Sequence, residues 1–432
     1  ELGEDGGVGM QCKYVKQDGS RCNREALPDS RTGYCILHEH GDYKDEEETK
    51  KEFYREIEEG ITDFVGCILP GFDLSGRTFK GDLVFVDARI KGDVWFDDEA
   101  EIERDINFTN ATVEGEASFR GVIVGGHAIF EEARIGRLGG SVDFEGATVN
   151  NSISFFHAEI KGGVNFKEAT IGTTISFERA TIEGDIFFNS ATIGKDLIIG
   201  TTTVIFRKAT IVNAWFSEAT IRGVLFDRKA TIKGYLNFSN ANIYELSFVG
   251  AKFHEIRTQE EACRVAKTIQ EKLGNRDSAD SHFYREMVAR RKQKYKTFSL
   301  EPILKLIRKL RLEGALYKYT GFLEKKRRIY WGFLEFPLQY PFGYGVHPFW
   351  VIGAWLLTVF CLAFVYWIGN GVEAANSLVE YIYFSVVTAA TPGYGGYKPV
   401  PGFYQGLATF EAIFGTFMWA AFIATFARKY MR

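Results

Sequence analysis

Several things are scarce in this 432-residue sequence: it has 9 prolines, 6 cysteines and 4 methionines. So little proline, beside 45 glycines, argues against a collagen-like chain and a proline-rich linker protein. Six cysteines are too few for a disulfide-built secreted scaffold of this length. Residues 1–60 hold no apolar run, so no signal peptide is expected. No nucleophile triad, phosphate loop or supported pair of catalytic carboxylates stands out, so an enzyme is not expected. Phenylalanine is abundant, at 38 residues, in a composition 46% hydrophobic and 25% charged, which is globular. The mean hydropathy of -0.12 looks soluble, but it averages over unlike parts.

Charge shows the division first. Residues 1–250 carry 42 acidic and 27 basic side chains, and residues 251–432 carry 14 and 25. The total of -4 therefore hides an acidic first part and a basic second part. The basic residues cluster at Arg290–Lys296, Lys305–Arg311 and Lys325–Arg328. Such clusters can read as nucleic-acid binding, but two apolar runs beyond them favour a membrane. Residues 349–369 contain no charge, and residues 406–427 contain only Glu411. Each run is long enough to cross about 30 Å of hydrocarbon. Basic clusters precede the first run, and Arg428, Lys429 and Arg432 come after the second. Both termini are then expected on the cytoplasmic side of a cell membrane.

Between the spans, Asn376–Ala390 is apolar but too short to cross, which suits a re-entrant helix. Thr391-Pro392-Gly393-Tyr394-Gly395 comes next. Irregular backbone at membrane depth survives only within protein or along a water-filled path. A ring of such loops would replace an ion's hydration shell with carbonyl oxygens. The negative end of the short helix would favour a cation.

Here the sequence resembles the pore of two-transmembrane potassium channels, whose filter reads Thr-Val-Gly-Tyr-Gly-Asp. The resemblance covers about a fifth of the chain. It implies a homotetramer that binds potassium ions along Thr391, Pro392, Gly393, Tyr394 and Gly395, within a lipid membrane. It also implies a gating hinge about 20 residues past the filter, which falls on Gly415. Close helix packing is the competing reading of Gly415. Pro392 and Gly396 depart from the family pattern, which leaves a less selective cation pore as an alternative. Glu411 reads either as packed behind the filter or as part of the ion path.

Residues 61–256 repeat. The unit A-T-I-x-G-x-x-x-F-x-x begins at Ala147, Ala158, Ala169, Ala180 and Ala191, and again at Ala209, Ala219, Ala230 and Ala241. Looser copies begin at Ala88, Ala100, Ala111 and Ala133. Alternation within a unit predicts two short strands with one buried face. The pattern resembles pentapeptide-repeat proteins and implies a right-handed quadrilateral β-helix. Two units per coil give about nine coils and a rod of roughly 43 Å, with phenylalanine and isoleucine columns inside. The fold class expected is therefore multidomain: an all-β β-helix plus an α-helical two-transmembrane pore with a re-entrant pore helix. Some pentapeptide-repeat proteins are acidic rods that mimic DNA. Fusion to a pore speaks against that here, and no nucleic-acid partner is expected.

Cys12, Cys22, Cys35 and His38 have the residue types of a tetrahedral zinc site, with His40 as an alternative fourth ligand. Zinc would let about 40 polar residues fold. Unpaired thiols and a redox sensor are the competing readings. Cys67, Cys263 and Cys361 are expected to be buried. The organisation expected is a zinc module over 1–44, a charged helical connector over 45–60, and the β-helix over 61–256. A helical hairpin cap over 257–298, interfacial helices over 299–347 and the pore domain over 348–432 complete it. The leading function is a cation channel whose gate is influenced by the β-helix. A membrane-anchored scaffold or sensor whose β-helix binds a cytosolic partner is the alternative.

Overall fold

A computed structural model of the chain describes residues 10–28, 31–40, 44–137, 139–194, 203–227, 229–297, 343–390 and 396–430. It contains two compact units, residues 1–290 and 291–432. Most of the segment expected as interfacial helices, 299–342, lies outside the described residues.

The first unit is a four-sided solenoid of short parallel strands, two residues each except for Thr220–Leu225 and Asn242–Ser247. Its logic is readable in one coil. At Phe166-Lys167-Glu168-Ala169 the chain turns, the Ala169 N–H donating to the Phe166 carbonyl at 3.2 Å. Glu168 there takes a left-handed φ of 58°, a conformation side chains usually avoid. Thr170–Ile171 then pairs with Thr148–Val149 below and Thr192–Ile193 above. The offset of 22 residues is two sequence units, and each coil carries four strands. Gly172 marks a corner where only glycine fits, since a Cβ would lie 1.8 Å from the Asn150 carbonyl oxygen. The longest side stacks nine strands, which makes eight full turns, one fewer than the sequence suggested. Coil lengths vary, and from Thr181 to its partner Thr210 the chain takes 29 residues.

The phenylalanines form two ladders inside the solenoid. Phe130, Phe155, Phe177 and Phe206 stack face to face with centroids 5.0–5.2 Å apart. Phe144, Phe166, Phe188 and Phe216 form the second stack, at 4.9–5.4 Å. The two ladders meet edge to face, as at Phe155 and Phe166, 6.4 Å apart. Both offset stacks and edge contacts suit the ring quadrupole. Alanine between them, at 147, 158 and 169, leaves room for the rings and is itself fully buried.

Both ends are covered. Helix α1 (Glu46–Glu58) starts at Asp45, whose side chain accepts from the Glu48 N–H. It buries Phe53 against Phe64 and Phe72, both 4.8 Å away, which ends the ladders. At the other end, α2 (Ile256–Lys272) and α3 (Arg276–Thr297) form a hairpin. Gln270 donates to the Leu246 carbonyl at 3.0 Å, and Arg285 donates to the carbonyls of Phe248 and Ala251. The buried ring of His282 accepts the Phe248 N–H on Nε2 at 2.9 Å, while its Nδ1 donates to the Ser278 carbonyl at 2.7 Å. Main-chain groups that would form an open edge are thus satisfied by side chains.

Candidate functional site

The second unit holds three helices. The first span, Pro348–Ile368, opens on proline, whose missing N–H costs nothing at a helix start. A short helix, Leu378–Ala390, and the second span, Phe403–Tyr430, come next. Only 22% of the most apolar window of each span is buried. Leu357, Ile368, Ile413 and Ile423 are each more than 60% exposed. A soluble core helix would bury such residues, so these faces fit lipid or another apolar partner.

Side-chain contacts fix the path of the chain. Tyr381 reaches Asn370, Phe384 packs edge-on against Tyr366 at 5.2 Å, and the Ser385 hydroxyl lies 2.8 Å from the Val359 carbonyl. Residue numbers rise on one helix as they fall on the other, so the short helix doubles back along the first span. Lys398–Pro399 then pairs antiparallel with Val372–Glu373. The chain has therefore returned by residue 398 to where it stood at 372, after an excursion of about 20 Å along a 13-residue helix. The second span next runs parallel to the short helix, Glu411 meeting Ser385 and Gly415 meeting Ala389. Against the first span it is antiparallel, with Trp355 beside Trp419 at 5.9 Å.

The five filter candidates, Thr391, Pro392, Gly393, Tyr394 and Gly395, lie outside the described residues. Their flanks, Ala390 and Gly396, are described, and they bracket the return. Gly415 sits within the unbroken second span, and a Cβ there would stand 2.0 Å from the Ala389 carbonyl oxygen. This geometry favours the close-packing reading of that glycine. Glu411 is 1% exposed and bonded to Tyr366 and Ser385, so within one chain it lies behind the short helix. Neither partner was singled out from the sequence. The signal available was a lone serine in the apolar run VEYIYFSVV, since polar groups in such runs seek partners.

A second cluster lies in the first unit. The ligand atoms of Cys12, Cys22, Cys35 and His38 are all within 4.8 Å of one another and all buried. The turn Cys35–His38 closes with His38 N–H on the Cys35 carbonyl at 3.0 Å. His38 Nδ1 is 3.2 Å from the Cys35 sulfur and 3.7 Å from that of Cys12. Its Nε2 donates to the Val65 carbonyl at 2.9 Å, the outer contact that orients a metal-binding imidazole. Tyr14 stacks on the ring at 4.0 Å. Three thiols and one oriented imidazole suit a tetrahedral metal ion such as zinc. His40, the alternative ligand, is exposed and packs edge-on to Tyr34 instead.

The remaining cysteines divide. Cys67 and Cys263 are buried as expected, and burial pushes both thiols up to about 12, so both stay protonated at neutral pH. Cys361 is exposed, contrary to expectation, because a membrane-type helix leaves much of its apolar surface uncovered within one chain. Arg24 lies 3.8 Å from the Cys22 sulfur and joins the cluster to α1 through a two-bonded pair with Glu56, both bonds 2.7 Å. Ile68 N–H donates to the Leu37 carbonyl at 2.7 Å, so the cluster is continuous with the first coil.

No curated protein and no solved structure matches the chain. A family model described as an ion channel does match, over residues 353–432. That stretch contains the doubled-back helix and all five filter candidates. The C-terminal part of the chain, residues 353–432, is a two-span ion-channel domain.

Proposed function

We propose that four copies of this chain assemble into a potassium-selective channel in the cell membrane. Ions pass along Thr391, Pro392, Gly393, Tyr394 and Gly395, one such segment per chain. The observation that supports this reading is the return of the chain between Ala390 and Lys398, at the place where the sequence reads TPGYG. The short helix directs its C-terminal end toward that return, where its dipole favours a cation. Pro392 keeps its carbonyl but lacks an N–H, so carbonyl coordination is retained. The basic clusters put both termini on the cytoplasmic side. The solenoid biases the gate from that side, and zinc held by Cys12, Cys22, Cys35 and His38 is structural.

Purified protein in liposomes tests this reading. Potassium flux with a reversal potential that tracks the potassium gradient, rather than the sodium gradient, is expected. Absence of any cation current would sink it and favour a membrane-anchored scaffold. Equal potassium and sodium permeability would leave a channel but remove the selectivity.

A further inference from the structure

Glu411 is an expensive residue in its position. It lies eight residues into the second span, 1% exposed, among apolar neighbours. Among the described residues no salt bridge reaches it. It accepts instead from Tyr366 Oη at 3.0 Å on one oxygen and is hydrogen-bonded to the Ser385 hydroxyl through the other. Tyr366 and Ser385 are both fully buried. Ser385 also lies 2.8 Å from the Val359 carbonyl. One carboxyl group therefore touches the first span, the short helix and the second span together. One turn further along, Gly415 meets Ala389, which is also one turn beyond Ser385. The two contacts fix both the register and the separation of the short helix and the second span.

We propose that Glu411 is a positioning residue of the pore: with Tyr366 and Ser385 it sets where the short helix ends, and so how the segment after Ala390 is presented to ions. The proposal rests on the channel reading above. It differs from an ion-path role, because the carboxyl group faces the interior of its own three-helix unit. An unpaired buried polar group is costly, so removing one partner disturbs the others.

The proton inventory supplies a discriminating variant. Ser385 has one hydroxyl proton and two neighbouring acceptors. In Glu411→Gln the amide oxygen can accept from Tyr366 while the amide nitrogen donates to Ser385, freeing the Ser385 proton for Val359. Glu411→Leu keeps the site filled with an apolar side chain and deletes every bond. Reversal potentials in mixed potassium and sodium are measured on the unaltered full chain and on both variants in liposomes. Glu411→Leu is expected to change the permeability ratio about 5-fold or more, as the loss of a buried hydrogen bond would. Glu411→Gln is expected to stay near the unaltered ratio. Should Glu411→Leu fail to assemble, Ser385→Ala, which removes a single oxygen, replaces it with the same expected direction. An unchanged ratio in Glu411→Leu, or in Ser385→Ala when that variant stands in, overturns the proposal. So does a Glu411→Gln ratio displaced as far as that of Glu411→Leu, since charge rather than bonding would then matter. No current from the unaltered chain counts against the channel reading, and the proposal falls with it. A conducting unaltered chain with indifferent variants counts against this inference alone.

Discussion

A single ring in the solenoid illustrates how much rests on each residue. Phe155 lies 5.1 Å from Phe130 and 5.2 Å from Phe177, with no exposure at all. Phe155→Ala should destabilise the solenoid by about 3–5 kcal/mol, read from denaturant melts monitored by circular dichroism. Little change would mean that the neighbouring rings close the gap. Glycine offers a sharper contrast. Gly415→Ala would place a methyl group against the Ala389 carbonyl, whereas Gly406→Ala meets nothing within 4 Å. Gly415→Ala should therefore lower the melting temperature of detergent-purified protein, and Gly406→Ala should leave it unchanged. Equal tolerance of both would remove the packing role and return Gly415 to a hinge. The phenylalanine ladder could be read from sequence because its spacing repeats. Close packing of Gly415 was one of two readings, but its partner, a backbone carbonyl 26 positions away, leaves no mark in the sequence.

The elements tell a similar story. The repeat alone predicted short strands with one buried face, and the resemblance to pentapeptide-repeat proteins implied two units per coil, the 22-residue offset that the strand pairing shows. The capping hairpin was visible as a change of period, but its chemistry was not. Gln270, His282 and Arg285 all bind main-chain groups of the last coil, and main-chain groups look alike in every sequence. His282 gives a testable consequence. Burial, foremost, lowers its pKa below the usual 6.5, with the Arg285 charge adding to the effect. The unfolded chain thus takes up a proton at a higher pH than the folded chain does. Stability contributed by neutral His282 is complete above about 6.5 and falls as the pH drops below it, toward the lower folded value. Protonated Nε2 would also face the Phe248 N–H, donor against donor. Melting temperature should decline below about pH 6.5 in the unaltered chain, and His282→Gln should flatten that decline. A parallel decline in both would place the titration elsewhere.

At the scale of the molecule, the first unit carries a buried cluster of three cysteines and a histidine at one end that could hold a metal ion. The cluster is hydrogen-bonded to the first coil through Leu37 and through His38 to Val65. Elemental analysis should find one zinc per chain. A strong chelator should lower the first melting transition, and Cys35→Ser should reproduce that loss without added chelator. Full metal loss with an unchanged melt would make the site regulatory instead. Sequence spacing was enough to nominate these four ligands, because thiols and imidazole are rare enough to stand out. It put His38 first and kept His40 as an alternative; the turn at Cys35–His38 and the reach of Nε2 to Val65 bring His38 into the cluster.

The 22-residue coil also makes length a matter of phase. Between Thr181 and Thr210 the chain carries seven residues more than that pitch and still rejoins the ladder in register. Seven added residues therefore leave the strand pairing on either side of them intact. Removing 22 residues would shorten the solenoid by one turn and leave every column in place. Removing half as many would preserve the sequence pattern equally well, yet exchange the two phenylalanine ladders beyond the cut. The helix α2 would then depart half a turn around the solenoid axis. The number of sequence units, odd or even, thus decides from which side of the solenoid α2 departs.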